Sequence, residues 1–229
     1  MDFLRVLLQA PGGALSALRG FYEGQLGLER VGSDRYALGI TELAFEAASA
    51  EPFYHFAMLV PGDRFDAALA WASDRVDLLP GGDIDDVVFD FDNWNALACY
   101  FHDPAGNIVE LIAHRGIGEQ GATGGFDASE LLGLSELGLV GDTQKMAADL
   151  EPLGLTLWDG ELEESGRLAF LGERARTLIL SPERRGWLPT GRPAGPNPVD
   201  VLLTGPPAGE VRTAGHRVSR RAAPLRSLP

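Results

Sequence analysis

The feature of this sequence that most restricts its fold is a β-α-β-β pattern that recurs at intervals of roughly 60 residues. Each repeat opens with a short apolar strand pattern, at residues 4–10, 55–60 and 136–140. An amphipathic helix pattern follows each of these strands, and further short strands follow each helix. A single unit of this kind cannot bury its sheet face alone. The sequence therefore predicts an α+β fold in which paired β-α-β-β-β modules form one compact body.

Changes in composition along the chain suggest its divisions. We predict that residues 1–115 hold two complete modules that form one domain, and that the glycine-rich residues 116–129 are a linker. Residues 130–205 are predicted to form a third, degenerate module. Residues 206–229 are predicted to be a basic, mobile tail, because the end of the chain lacks hydrophobic periodicity.

The composition excludes several classes of protein. The chain of 229 residues is 45% hydrophobic and 23% charged, which is the balance of a globular protein. Its formal net charge of -14 disfavours binding to nucleic acid or to an anionic membrane surface. It has neither a signal-peptide pattern nor an apolar stretch long enough to span a membrane. We expect a cytoplasmic protein that binds a small molecule and could form a homodimer.

The few cysteines and histidines limit the metal sites that this chain can build. The single cysteine, Cys99, excludes an internal disulfide and a zinc site of paired cysteines. A metal would therefore be held by carboxylates and by one or more of four histidines: His55, His102, His114 and His216. His102 borders a turn, His114 follows the last strand of the second module, and His216 lies in the predicted tail. These three are the weaker candidates.

Glu110 occupies an unusual position for a charged residue. In a strand it shares one face with Ile108 and Ile112. An unpaired carboxylate on such an apolar face is costly, so Glu110 should be paired or metal-bound. A salt bridge between His55 and Glu110 in a metal-free site would also satisfy it. Five aspartates around the predicted strand at residues 87–91 form another acidic group: Asp83, Asp85, Asp86, Asp90 and Asp92. The alternation of Asp90 and Asp92 with phenylalanines favours a solvated face.

Three stretches of the sequence carry a resemblance to a known family. They are Phe21–Leu28 (FYEGQLGL), His55–Val60 (HFAMLV) and Tyr100–Leu111 (YFHDPAGNIVEL). In their order and spacing they resemble the vicinal oxygen chelate superfamily, the group of glyoxalases, bleomycin-resistance proteins and extradiol dioxygenases. The resemblance implies paired βαβββ modules whose curved sheet forms a cup that holds a divalent metal. In the third module, a strand start at 135–140 is similar to that of the second.

The resemblance also implies a set of site residues. His55 and Glu110 match two metal-ligand positions, and Glu136 stands in the third module where His55 stands in the second. Another ligand position falls on Arg5, which as a permanent cation cannot bind a metal. Imidazole and carboxylate ligands suit Fe(II), Mn, Zn or Ni.

Two functions remain open at this point. The first is a metal-dependent enzyme of the dioxygenase, isomerase or lyase type, acting on a small molecule with adjacent oxygens. Tyr100 would then orient the substrate, although such a tyrosine can also serve packing alone. The alternative is a metal-free protein that binds and sequesters a small molecule, as bleomycin-resistance members do. In that case Arg5 would point into the cup and bind Glu110 or an anionic ligand.

Overall fold

The computed structural model describes residues 1–81, 86–162 and 166–222. Asp83 and Asp85 of the acidic group lie outside these residues, as does the end of the predicted tail, 223–229.

The first unit has the predicted β-α-β-β-β order. Its elements are β1 (Phe3–Pro11), α1 (Leu15–Arg19), β2 (Glu29–Gly32), β3 (Arg35–Leu38) and β4 (Thr41–Ala48). The helical path continues past α1 as a wider turn over Gly20–Gln25. Gly27 follows it with a φ of 77°, a conformation that glycine adopts without strain. The predicted end of the helix at Gly27 is confirmed.

The second unit repeats this order. Its elements are β5 (His55–Val60), α2 (Phe65–Ser73), β6 (Phe89–Phe91), β7 (Ala96–His102) and β8 (Ile108–His114). A tight turn joins β7 to β8, and the Asp103 carboxylate stabilises it by accepting hydrogen bonds from the backbone amides of Ala105 and Asn107. Gly106 adopts a φ of 78° in this turn. The predicted hairpin is confirmed.

The third unit is complete in its elements. They are β9 (Gly133–Val140), α3 (Thr143–Leu150), β10 (Leu157–Gly160), β11 (Ala169–Glu173) and β12 (Arg176–Ser181). The Asp142 side chain accepts a hydrogen bond of 2.9 Å from the Lys145 amide, which confirms Asp142 as the predicted helix cap.

The last part of the chain corrects the prediction of a mobile tail from 206. It contains β13 (Gly186–Trp187), β14 (Arg192–Pro193), β15 (Val199–Thr204), β16 (Gly209–Thr213) and β17 (His216–Arg221). β16 and β17 pair as an antiparallel hairpin, and β17 also pairs with β15. The prediction failed because β16 and β17 are short and contain few apolar residues among their arginines, so they give little hydrophobic pattern.

The strands form two large sheets, and the units pair across them in an order that the sequence did not indicate. The eight-stranded sheet joins the second and third units through the antiparallel pair β5–β9. The seven-stranded sheet joins the first unit to β15–β17 through the antiparallel pair β1–β15. The third unit therefore shares a sheet with the second, as expected of one compact body. The first two units do not share a sheet with each other.

Successive residues of β5 point to opposite faces of the eight-stranded sheet. Phe56 and Met58 point into the main hydrophobic core, which also contains Val6 of β1 and Leu137 of β9. Ala57 points to the opposite face, where a smaller apolar cluster covers the eight-stranded sheet. Both faces of β5 are thus buried. In the described part of the chain, no helix is long and apolar enough to cross a lipid bilayer.

Candidate metal centre

His55 begins β5 with a fixed ring orientation. Its Nδ1 atom lies 3.2 Å from the carbonyl oxygen of Ile108, and since a carbonyl can only accept, Nδ1 carries the proton and donates it. The lone pair of Nε2 is then free and faces Glu110, with 3.4 Å between Nε2 and Oε2. Backbone carbonyls orient metal-binding histidines in this way.

Glu110 and Glu136 lie on β8 and β9, the two strands that flank β5. In the register of the sheet, Ala57 of β5 lies beside Glu110 of β8 on one side and beside Glu136 of β9 on the other. The small alanine side chain separates the two carboxylates and leaves space above it. One ligand atom from each of His55, Glu110 and Glu136 lies within 4.8 Å of the others. The structure thus brings the three predicted ligand candidates together.

Burial decides the protonation states of these groups. Glu110 is 2% exposed and Glu136 is 3% exposed. Burial raises the pKa of Glu136 to about 8. Burial, and next the charge of Glu136, raise the pKa of Glu110 well above its ordinary value. The two carboxylates therefore cannot both ionise easily without a nearby cation.

His55 does not supply that cation. Burial lowers the pKa of its imidazole to about 4, and the hydrogen bond to Ile108 opposes this only in part. At neutral pH the ring is uncharged, so the contact of 3.4 Å with Glu110 is not an ion pair. A salt bridge between His55 and Glu110 therefore does not explain the buried carboxylates. A bound divalent cation would compensate both of them.

Tyr100 lies directly opposite Glu110 in the antiparallel pair β7–β8. It is 2% exposed, and its side chain lies on the same face of the sheet as Glu110. Burial raises the pKa of Tyr100 well above its ordinary value, and the charges of Glu110 and Glu136 raise it further. The hydroxyl therefore keeps its proton, and its polar O–H near Glu110 lowers the pKa of that carboxyl in part.

Apolar side chains enclose the three candidate ligands in a cavity of about 60 Å³. The walls are Phe91, Trp94, Leu168, Phe170, Ile179, Trp187 and Leu188. Among the residues that the structure describes, neither lysine nor arginine lines the cavity. The sequence analysis missed Trp187, since it lies in an irregular segment rich in proline and arginine.

Arg5 lies elsewhere, which corrects the prediction that it points into the cup beside Glu110. It belongs to β1 in the seven-stranded sheet, whereas the three candidate ligands belong to the eight-stranded sheet. Its guanidinium is paired with Asp200 at 3.3 Å. The prediction assumed that the first two units share a cup, and the observed pairing of units separates them.

The remaining histidines do not join the cluster of His55, Glu110 and Glu136. The His102 ring is 3.2 Å from the Asn107 carbonyl at the edge of the turn. His114 is buried and stacks on Trp94. His216 is buried in β17, where it contacts the backbone of Val140.

The comparisons with known proteins agree with this architecture. Neither a protein-family model nor a curated protein sequence matches the chain. A putative dioxygenase from Bacillus subtilis is similar in structure, with a TM-score of 0.55 and 13% identity over 96% of this chain and 85% of that one. A mutant of glyoxalase I from Zea mays has a TM-score of 0.55 and 14% identity, over 96% of this chain and 92% of that one.

A second structure of glyoxalase I from Zea mays has a TM-score of 0.50 and 16% identity, over 87% of this chain and 74% of that one. At these identities the similarity establishes the fold. The chain has the α+β fold of these dioxygenase and glyoxalase structures, the fold that the resemblance of the three sequence stretches implied. Its candidate centre is a cluster of one histidine and two glutamates that could hold a metal.

Proposed function

We propose that this protein is a metal-dependent enzyme that acts on a small molecule with two adjacent oxygens. His55, Glu110 and Glu136 would hold a divalent first-row metal. The observation that carries the proposal is the pair of buried carboxylates beside a neutral imidazole, with no basic residue among the described residues that line the cavity. Burying such a pair is unfavourable unless a cation binds between them.

The donor set fits a metal in further respects. Imidazole nitrogen and carboxylate oxygen suit Fe(II), Mn, Ni and Zn. Three protein ligands are the number that catalytic metal sites use when they leave a position for substrate. The Thr177 hydroxyl is buried without a hydrogen-bond partner among the described residues, and Thr177 is the neighbour of Glu136 in the pair β9–β12. A bound ligand could satisfy it.

The chemistry follows from the environment of the cluster. A divalent metal in such a site acts as a Lewis acid on the oxygens of the substrate. Tyr100 keeps the proton on its hydroxyl and favours the ionised form of Glu110 that a metal would bind. The Ile108 carbonyl keeps the Nε2 lone pair of His55 available. The aromatic walls exclude water, which strengthens every electrostatic interaction in the site.

Metal analysis of the purified protein tests this proposal. We expect about one equivalent of a divalent metal after titration with Mn²⁺, Fe²⁺, Ni²⁺ or Zn²⁺ and removal of the excess. His55→Ala should lose this metal, whereas the control His102→Ala should keep it, because His102 is outside the cluster. A wild-type protein that binds none of these metals but binds aromatic molecules tightly would contradict the proposal and favour a metal-free binding protein.

A further inference from the structure

One small structural element covers the candidate metal centre from outside the two large sheets. β13 and β14 form a separate two-stranded hairpin, which we call the gate hairpin (residues 186–193). Its Trp187 is 3% exposed, and the indole ring lies 5.0 Å from the His55 ring between centroids. A Cβ atom on Gly138 would lie 2.8 Å from this indole, so the glycine in β9 permits the close approach.

The cavity beneath Trp187 is too small for an organic substrate. Its volume is about 60 Å³, whereas sites for small organic ligands commonly have volumes of about 300–1,000 Å³. The side chains of the three candidate ligands are almost completely buried. A substrate can therefore reach the cluster only if part of the wall moves.

The gate hairpin pairs with neither of the two large sheets. Most of the other wall residues lie on or beside strands of the eight-stranded sheet. The hairpin is joined to the second unit through Arg192, whose guanidinium lies 3.5 Å from the centroid of the Phe53 ring. Arg192 also donates a hydrogen bond of 2.8 Å to the carbonyl of Gly106. At the tip of the hairpin, Leu188 is 52% exposed.

We propose that the gate hairpin opens and closes over the candidate metal centre, with Trp187 as the residue that covers it and Arg192 as the residue that holds it shut. Trp187 then limits which ligands enter, because they must pass where its indole lies. The nature of the ligand rests on the proposed function. The gate itself is a property of the metal-free chain, so it can be tested separately.

The test is the rate at which diethyl pyrocarbonate modifies His55 in the metal-free protein, followed by mass spectrometry of the peptides. This reagent reacts with the unprotonated nitrogen of an accessible imidazole, so the rate reports how often His55 is uncovered. In the wild type, His55 should react much more slowly than the exposed His102. Trp187→Ala should accelerate the reaction of His55 at least tenfold, and Trp187→Phe should accelerate it less.

Arg192→Met separates a moving gate from a fixed cover, because it loosens the hairpin and keeps Trp187. We expect it to accelerate the modification of His55 severalfold. Glu183→Gln, an exposed control just before the hairpin that does not line the cavity, should change nothing. The buried His114 should stay slow in every variant and so report that the protein is folded. The proposal is overturned if His55 in the wild type reacts as fast as His102, or if Arg192→Met leaves its rate unchanged. Neither result depends on whether the protein binds a metal.

Discussion

The two large sheets follow the same plan, yet they carry different chemistry at matching positions. In the eight-stranded sheet, β5 pairs antiparallel with β9, and Ala57 lies opposite Glu136. In the seven-stranded sheet, β1 pairs antiparallel with β15, and Leu7 lies opposite Asp200. On its other side, β5 pairs parallel with β8, which places Glu110 beside Ala57. In the same way, β1 pairs parallel with β4, which places Ala44 beside Leu7.

Two residues before Ala57 stands His55, and two residues before Leu7 stands Arg5. The cluster of His55, Glu110 and Glu136 thus corresponds to Arg5, Ala44 and Asp200.

This correspondence shows how one scaffold supports either a candidate metal centre or an ion pair. In the eight-stranded sheet Glu110 and Glu136 are buried, and among the described residues neither lysine nor arginine lines their cavity. In the seven-stranded sheet the Arg5 and Arg217 guanidiniums supply fixed positive charge to Asp200, at 3.3 and 2.8 Å. The Arg5 side chain is 36% exposed, so this pair is hydrated.

The largest expected effect is a loss of metal affinity on substitution of Glu136 but not of Asp200, the residue at the corresponding position of the other sheet. Glu136→Gln should weaken metal binding at least about 100-fold, or about 2.7 kcal/mol, since it removes a charged ligand. The matched variant Asp200→Asn should leave the metal affinity unchanged, because its carboxylate pairs with arginines in the other sheet. Isothermal titration with the metal measures both. Equal losses in the two variants would contradict the assignment of the centre to the eight-stranded sheet.

The second prediction concerns the stability of the metal-free protein against pH. The pKa of Glu136 is about 8 in the folded chain, and its ordinary value is 4.5. Between these values the folded state binds more protons than the unfolded state, so the free energy of unfolding falls as pH rises. The lowered pKa of His55, about 4, has the opposite effect, but only below its ordinary value of 6.5. Between pH 6.5 and pH 8, the loss of stability should therefore come from Glu136 without an opposing contribution from His55.

We expect metal-free wild type to lose at least about 1.4 kcal/mol of stability from pH 6.5 to 8, the equivalent of one pKa unit. Urea unfolding at several pH values measures this loss. The loss should be smaller in Glu136→Gln and in the wild type with excess metal, whereas Asp200→Asn should keep it. Stability that is constant over this range in the metal-free wild type would show that the carboxyls are not held neutral.

The third prediction tests whether Tyr100 acts on the centre or only packs. Tyr100→Phe removes the hydroxyl that favours ionised Glu110, so the pKa of Glu110 should rise further. The metal must then displace a proton that is bound more tightly, and its affinity near pH 7 should fall about tenfold. The deficit should shrink at higher pH. Tyr22→Phe is the control, because the Tyr22 hydroxyl donates to Asp103 instead. A Tyr100→Phe protein with unchanged affinity at every pH would leave Tyr100 a packing role only.

The comparison also explains what could be predicted from the sequence. His55 and Glu110 were predicted as ligands from the family resemblance of the two stretches that contain them, and strand alternation separately marked Glu110 as a carboxylate on an apolar face. Glu136 followed from its place at the start of the third unit. The location of Arg5 was not predictable, since the choice of partner units depends on long-range packing that no local pattern records. β16 and β17 were missed because they are short and rich in arginine, and Trp187 was missed because its segment has no periodicity.

The smallest expected effect is that of Arg5→Met. If Arg5 served the candidate metal centre, its loss would change metal binding, but Asp200 is its partner. We therefore expect an unchanged metal affinity. The pair is long and half-exposed, and Arg217 still faces Asp200 in the variant, so the loss of stability should be at most about 1 kcal/mol. Because salt screens exposed charges, the loss should shrink in roughly 1 M salt. Urea unfolding at low and high salt measures it. An Arg5→Met protein that binds metal differently from the wild type would mean that the two sheets are coupled, and the separation drawn between them would fail.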